Sequence, residues 1–91
     1  MRDAIKKQGP KYPYELRVRD IGGMGVVRVT LDLGTGAVSK LAMVHSTGVP
    51  ALDSSVMEAF RQWQWKPGKW KEIDVPVTFT RPGVVVTPLT R

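Results

Sequence analysis

The amphipathic stretch LDSSVMEAFRQWQWKP, at positions 52–67, constrains the fold more than any other part of the chain. Its apolar residues recur with the period of about 3.6 that is typical of one helix face. These residues are Leu52, Val56, Ala59, Phe60 and Trp63. The opposite face is polar, and an isolated helix this short is only marginally stable in water. The helix therefore needs a partner surface, and the flanking sequence predicts a small sheet that provides it.

Three other segments are predicted to be strands. The first and third alternate between apolar and polar residues, as half-buried strands do, whereas the second, the return strand, is less regular and allows for a bulge. They lie at 25–33, 37–45 and 71–80, and the loop Gly34-Thr35-Gly36 predicts a hairpin between the first two. A short helical turn is expected at 14–19, after Pro13. The predicted fold is α+β with the order ββαβ. A three-stranded antiparallel or mixed sheet, in the order 2-1-3, carries one long helix on one face.

Length and composition place these elements in one domain. The chain has 91 residues, of which 42% are apolar, and it has no cysteine, so disulfides are excluded. No apolar run approaches the roughly 20 residues that span a bilayer. We expect a soluble protein, or a soluble domain taken from an anchored one. Residues 1–11 are predicted to be a flexible linker remnant, 12–81 the folded domain, and 82–91 a tail that could add or exchange a strand.

Pro76 indicates where the third strand lies in the sheet. Proline has no N–H to donate to a ladder, so the strand at 71–80 is predicted at the sheet edge. An exposed edge can accept an extended peptide as an added strand. The alternative is an ordinary edge that the proline and the tail protect.

The residues needed for catalysis are sparse, so the chain is not expected to be an enzyme. His45 is the only histidine and is expected at the surface, and no zinc-protease, nucleophile-elbow or P-loop motif is present. Asp32 and Asp53 fall on different elements, with no evident partner that would shift either pKa. We expect no metal and no cofactor.

The formal net charge of +6 favours acidic partners. Trp63 is expected in the core and Trp65 over the end of the sheet, whereas Trp70, between two lysines, is the best candidate for an exposed aromatic. An alternative function is therefore a module that binds nucleic acid or an anionic envelope polymer such as peptidoglycan. The basic residues are scattered, however, and a merely solvated surface explains them as well.

Several of these motifs together resemble the C-terminal domain of TonB-family energy transducers, over about residues 11–81. They are Tyr12-Pro13, the GVVRVTLDLGTGAVSKL hairpin, SxGxxxLDxS, AFRQWQWKPG and DVPVTFT. The pairing of the Tyr-Pro motif with RxWxWxPG, at this separation, is the most specific part. Ser54-Ser55 departs mildly from the alanines that are common in the family at that place.

The resemblance implies a periplasmic domain, anchored to the inner membrane in the full-length protein through a proline-rich linker. A motor complex driven by the proton motive force would act on the anchor. The domain would bind the TonB box, a short extended segment of outer-membrane receptors, and so energise active transport such as siderophore uptake. Isolated domains of this kind can also form homodimers by exchanging C-terminal strands.

The family also implies which residues bind the partner. Tyr12 and Pro13 occupy the Tyr-Pro motif beside the receptor peptide, and Tyr14 follows it. The strand that accepts the TonB box corresponds to Asp74, Val75, Pro76, Val77, Thr78, Phe79 and Thr80.

Overall fold

The amphipathic stretch forms a helix across one face of an antiparallel sheet in the computed structural model, which describes residues 4–69 and 71–86. The helix covers 50–61 and begins with proline at its first turn, as predicted. The elements within the described residues are β1 (Ala4–Lys6), α1 (Tyr14–Val18), β2 (Gly23–Leu31), β3 (Val38–His45), α2 (Pro50–Arg61), β4 (Gln64–Trp65), β5 (Glu72–Thr80) and β6 (Gly83–Val86).

The predicted strand order is present, but the sheet is larger than predicted. The main sheet has the order β3-β2-β5-β6, and each neighbouring pair is antiparallel. The predicted order 2-1-3 corresponds to β3-β2-β5. The additions are β6 and a separate two-stranded sheet of β1 and β4. The irregular pattern of the return strand is explained by two register shifts between β2 and β3.

The edge position predicted for the third strand is wrong for its second half. Strand β6 pairs with residues 77–80 of β5, so β5 lies between β2 and β6 there. The tail therefore adds a short strand, which was one of its two predicted roles. Pro76 does not prevent this arrangement. The ladder with β6 begins at the next residue, Val77, so the proline, which has no N–H to donate, lies outside the ladder.

The core lies between α2 and the inner face of the sheet. Alternate residues of β2 and β5 point toward the helix, as the two-residue period requires. The buried residues from these strands are Val27, Val29, Leu31, Ile73, Val75, Val77 and Phe79. The helix contributes Leu52, Val56, Ala59 and Phe60. Four of the five residues of the predicted stripe therefore lie on the helix face that packs on the sheet. Trp63, which was predicted to lie on the helix, is buried just beyond its end.

The N-terminal segment, predicted to be a flexible linker remnant, is packed onto the domain from residue 4 to residue 11. Strand β1 pairs with β4, and the indole Nε1 of Trp63 donates a hydrogen bond of 2.8 Å to the carbonyl of Gln8. Ser55 Oγ donates to the carbonyl of Lys11, and Pro10 is buried. The tryptophans that follow α2 thus hold a segment whose own composition is polar.

Asp53 in the first turns of α2 organises the loop before the helix. Its carboxylate accepts hydrogen bonds from the Ser46 hydroxyl, the Thr47 N–H at 2.9 Å and the Thr47 hydroxyl at 2.6 Å. Partial burial raises the pKa of Asp53, but these three donors outweigh it and hold the pKa below its ordinary value. The prediction that Asp53 has no partner that shifts its pKa is therefore wrong.

We expect Asp53→Asn to lower the free energy of unfolding by about 1–2 kcal/mol at pH 7, because the loop loses a charged acceptor. A pKa that is lower in the folded state contributes stability above the unfolded value of about 3.9 and loses it as the pH falls through the folded value. Urea unfolding at pH 7 and at pH 2.5 should therefore show a difference that shrinks in acid. The control is Glu58→Gln, which removes the same charge from an exposed position on the same helix. An equal loss for Asp53→Asn at both pH values would contradict the assignment.

Candidate functional site

Tyr12 of the Tyr-Pro motif joins the N-terminal segment to the end of β5. Its hydroxyl donates a hydrogen bond of 2.8 Å to the carbonyl of Ile21. Its ring meets the Phe79 ring edge to face, with the centroids 5.3 Å apart and the planes at 76°. Tyr12 is half-buried and Phe79 is buried. The structure thus brings together two residues that the family resemblance placed beside the partner peptide.

Pro13 and Tyr14 are exposed beside this contact. Pro13 has φ −55° and its carbonyl accepts hydrogen bonds from the backbone of Leu16 and Arg17, which starts α1. The side chain of Tyr14 is 76% exposed at the first position of the helix. Of the motif and its neighbour, Tyr14 therefore offers the aromatic surface that is free to contact another molecule.

Strand β5 has a sealed face and an open face. Val75, Val77 and Phe79 are buried in the core that also contains the α2 side chains, so their side chains are not free to contact a partner. The intervening Asp74, Pro76 and Thr78 are half-buried on the face away from the helix, and Thr80 is exposed at the end of the strand. A partner at this strand would meet its backbone and the open-face side chains.

On the open face of β5, Asp74 forms an ion pair with Arg28 of the neighbouring strand β2. Arg28 donates from Nε to Asp74 Oδ1 at 2.9 Å and from Nη2 to Oδ2 at 3.1 Å, a two-bond arrangement across the neighbouring strands. The hydrogen bonds from Arg28 lower the pKa of Asp74, and the same contact raises the pKa of Arg28. Asp74 is thus ionised and paired within its own sheet.

Strand β6 covers part of the β5 backbone, and none of its four residues is fully buried. Val84 and Val86 pack partly against the core, whereas Val85 is 52% exposed. Its turn is contacted from α1 by Arg17, which donates from Nε to the carbonyl of Arg81 at 2.8 Å and from Nη2 to that of Pro82 at 3.0 Å. This contact of Arg17 is not predictable from the sequence, because no local motif marks a contact between residues 64 positions apart.

The aromatic residues considered for stacking on a ligand are mostly in the core. Trp63 and Trp65 are buried and their rings stack at 5.2 Å, and Trp63 also stacks on Phe60 at 4.5 Å. Trp70 lies outside the described residues. His45 is exposed at the end of β3. Within residues 4–69 and 71–86, no group of three or more acidic or histidine side chains could hold a metal ion.

The sequence comparisons identify the family. The model of the family described as the Gram-negative bacterial TonB protein C-terminal matches residues 8–82, and the chain belongs to that family. It is also similar to a Vibrio cholerae serotype O1 protein named Protein TonB, with 38% identity over 58 residues. That alignment covers 64% of this chain and 23% of the relative. Neither helix in the described part of the chain is long and apolar enough to cross a membrane.

Proposed function

We propose that this domain binds the TonB box of outer-membrane receptors as an added strand and transmits force from an inner-membrane motor to the receptor. The proposal places the peptide along β5, from Asp74 to Thr80, with Tyr12, Pro13 and Tyr14 beside it. Membership of the TonB C-terminal family is the observation that carries it. The full-length protein would sit in the periplasm, anchored to the inner membrane, and would couple proton motive force to transport.

Strand addition at this place requires the peptide to replace β6, and several observations support that exchange. Strand β6 has four residues, none of them fully buried, whereas β5 has nine residues and four buried apolar side chains. Segments with few buried contacts open at lower free energy than the rest of a domain. Removing β6 would leave β5 paired with β2 along eight residues, so the platform for the peptide would remain.

The backbone rather than side-chain pockets would provide most of the affinity. The inward residues of β5 are sealed under α2 and Asp74 is paired with Arg28. Each backbone hydrogen bond contributes a net stabilisation of about 0.5–1.5 kcal/mol. Such bonds tolerate many peptide sequences, and a short ladder of them gives a moderate affinity suited to repeated binding and release.

A switchable cross-link tests the proposal, because the chain has no cysteine of its own. Thr78 and Val85 are directly opposed between β5 and β6, so Thr78→Cys with Val85→Cys can form a disulfide that locks β6 in place. In an NMR titration, we expect a TonB-box peptide to bind the reduced form and to bind the oxidised form at least about tenfold more weakly.

The matched control is a second cross-strand pair in the same sheet. Thr30→Cys with Lys40→Cys joins β2 to β3, on the side of the sheet away from β6. Its oxidation should leave peptide binding unchanged. Unchanged binding in the oxidised 78–85 variant, or peptide-induced shifts that avoid β5 and Tyr12 in the wild type, would overturn the proposed site.

A further inference from the structure

The turn between β5 and β6 is poorly suited to close a hairpin by itself. Thr80 pairs with Gly83, which leaves Arg81 and Pro82 as the two turn residues. Two-residue hairpins favour turns with positive φ at the first central position, usually glycine, asparagine or aspartate. Among the described non-glycine residues only Asp20 has positive φ, so neither turn residue adopts that conformation. A proline at the second central position also disfavours the α-helical region for the preceding residue, here Arg81.

The Arg17 guanidinium donates hydrogen bonds to the carbonyl groups of both turn residues. One nitrogen donates to Arg81 at 2.8 Å and another to Pro82 at 3.0 Å, so the planar group spans the two consecutive peptide units. A guanidinium suits this task because its donors have a fixed fork geometry, which a lysine ammonium lacks. The contact reaches from α1 across to the opposite end of the chain.

Arg17 is itself held on a fixed element. The carbonyl of Pro13 accepts the N–H of Arg17 at 3.0 Å, and the carbonyl of Leu16 accepts the N–H of Ile21 at 2.8 Å. The Tyr12 hydroxyl bonds the carbonyl of Ile21. Leu16 also packs partly against the core, so the short helix and the chain after it are tied to the domain where Arg17 reaches the turn.

We propose that Arg17 is the positioning residue that keeps β6 paired with β5. Strand β6 is held by its four-pair ladder with β5, by a hydrogen bond of 3.0 Å from the Thr80 hydroxyl to the Gly83 carbonyl, and by two partly buried valines. The two bonds from Arg17 add to these contacts at a turn that lacks favourable geometry, so their loss should let the strand open more readily. If β6 must leave for a peptide to enter, as the proposed function has it, Arg17 sets how readily the binding edge opens.

Amide hydrogen exchange of the free full chain tests this directly. Arg17→Ala should accelerate the exchange of the β6 amides about tenfold, the effect of losing about 1.4 kcal/mol of hydrogen bonding, while the β2 amides stay protected. Arg17→Lys, which keeps the charge but not the fork, should show the same acceleration. Arg19→Ala, the same charge change one residue beyond α1, should behave as wild type.

The outcomes separate this inference from the proposed function. Unchanged β6 exchange in Arg17→Ala, or wild-type exchange in Arg17→Lys, overturns the positioning role. If Arg17→Ala also loses protection in β2, that substitution has destabilised the whole domain. The exchange of the β6 amides in Arg17→Lys then decides whether Arg17 has the positioning role. Peptide titration is a second measurement, in which both Arg17 variants should bind a TonB-box peptide more tightly than wild type. An absence of peptide binding in every variant would contradict the proposed function and leave the exchange result standing.

Discussion

Replacing Gly36 by alanine is expected to lower the free energy of unfolding by about 3–4 kcal/mol. Gly36 has φ +76°, a conformation that costs an L residue about 1–2 kcal/mol. A Cβ at this position would also lie 1.9 Å from the carbonyl oxygen of Trp65. That oxygen belongs to backbone, so relief of the overlap would require β4 to move away from the hairpin loop.

Gly68 provides a control that isolates the conformational part of this effect. Its φ is +78°, nearly that of Gly36, but a Cβ there would meet no atom within 4 Å. Gly68→Ala should therefore cost only about 1–2 kcal/mol. Urea unfolding of the two variants beside the wild type measures the difference. Equal losses of unfolding free energy in the two variants would contradict this prediction, because they would mean that the hairpin loop can move away from β4 without a cost.

The close contact at Gly36 also matters for how the N-terminal segment is held. The carbonyl of Gly36 accepts the N–H of Trp65 at 2.9 Å, and β4 pairs on its other side with β1. The hairpin loop, β4 and β1 thus form a continuous backbone connection. A chain pulled from its N-terminus, as the proposed function requires, would load this connection first.

The large periodic elements could be predicted from sequence because their patterns are dictated by burial on one face. The apolar residues of the helix stripe and the alternating apolar residues of β2 and β5 are buried as expected, because strict alternation assigns residues to one face of a sheet. The exception is Leu33, which was predicted to point inward but lies beyond the end of β2 and is exposed. Helix α1 also formed after Pro13 as predicted. These predictions succeeded because each depends on local spacing, which a single sequence displays.

The remaining features depend on contacts between distant segments. Strands β1, β4 and β6 have only two to four residues, too few to show a period, and their pairing is decided by surfaces that form elsewhere in the fold. The same holds for Arg17, whose partners are the carbonyls of a turn. The prediction that Asp53 has no partner is wrong because hydroxyl donors in a loop leave no distinctive spacing in a sequence. The partner-binding roles assigned to Tyr12, Pro13, Tyr14 and residues 74–80 stay predictions.

Trp65→Ala should be the other severe substitution, with an expected loss of about 3–5 kcal/mol in the free energy of unfolding. The Trp65 side chain is only 1% exposed and stacks on Trp63 at 5.2 Å, so truncation opens a cavity between the end of the sheet and the N-terminal segment. The residue also pairs with Ala4 across the ladder, which places the cavity beside Ala4 of β1. Denaturant unfolding gives the magnitude, and Trp65→Phe, which keeps most of the apolar volume, should lose clearly less.

The same variant reveals whether the N-terminal segment depends on the tryptophan pair. Amide exchange in Trp65→Ala should accelerate in β1 beyond the global effect seen in β2, since Ala4 loses the side chain beneath it while Trp63 still bonds Gln8. Trp65→Phe should restore most of the β1 protection. Uniform acceleration in both strands would mean that the segment opens only when the whole domain unfolds. The packing of residues 4–11 would then be part of the cooperative core and not a separately released connection.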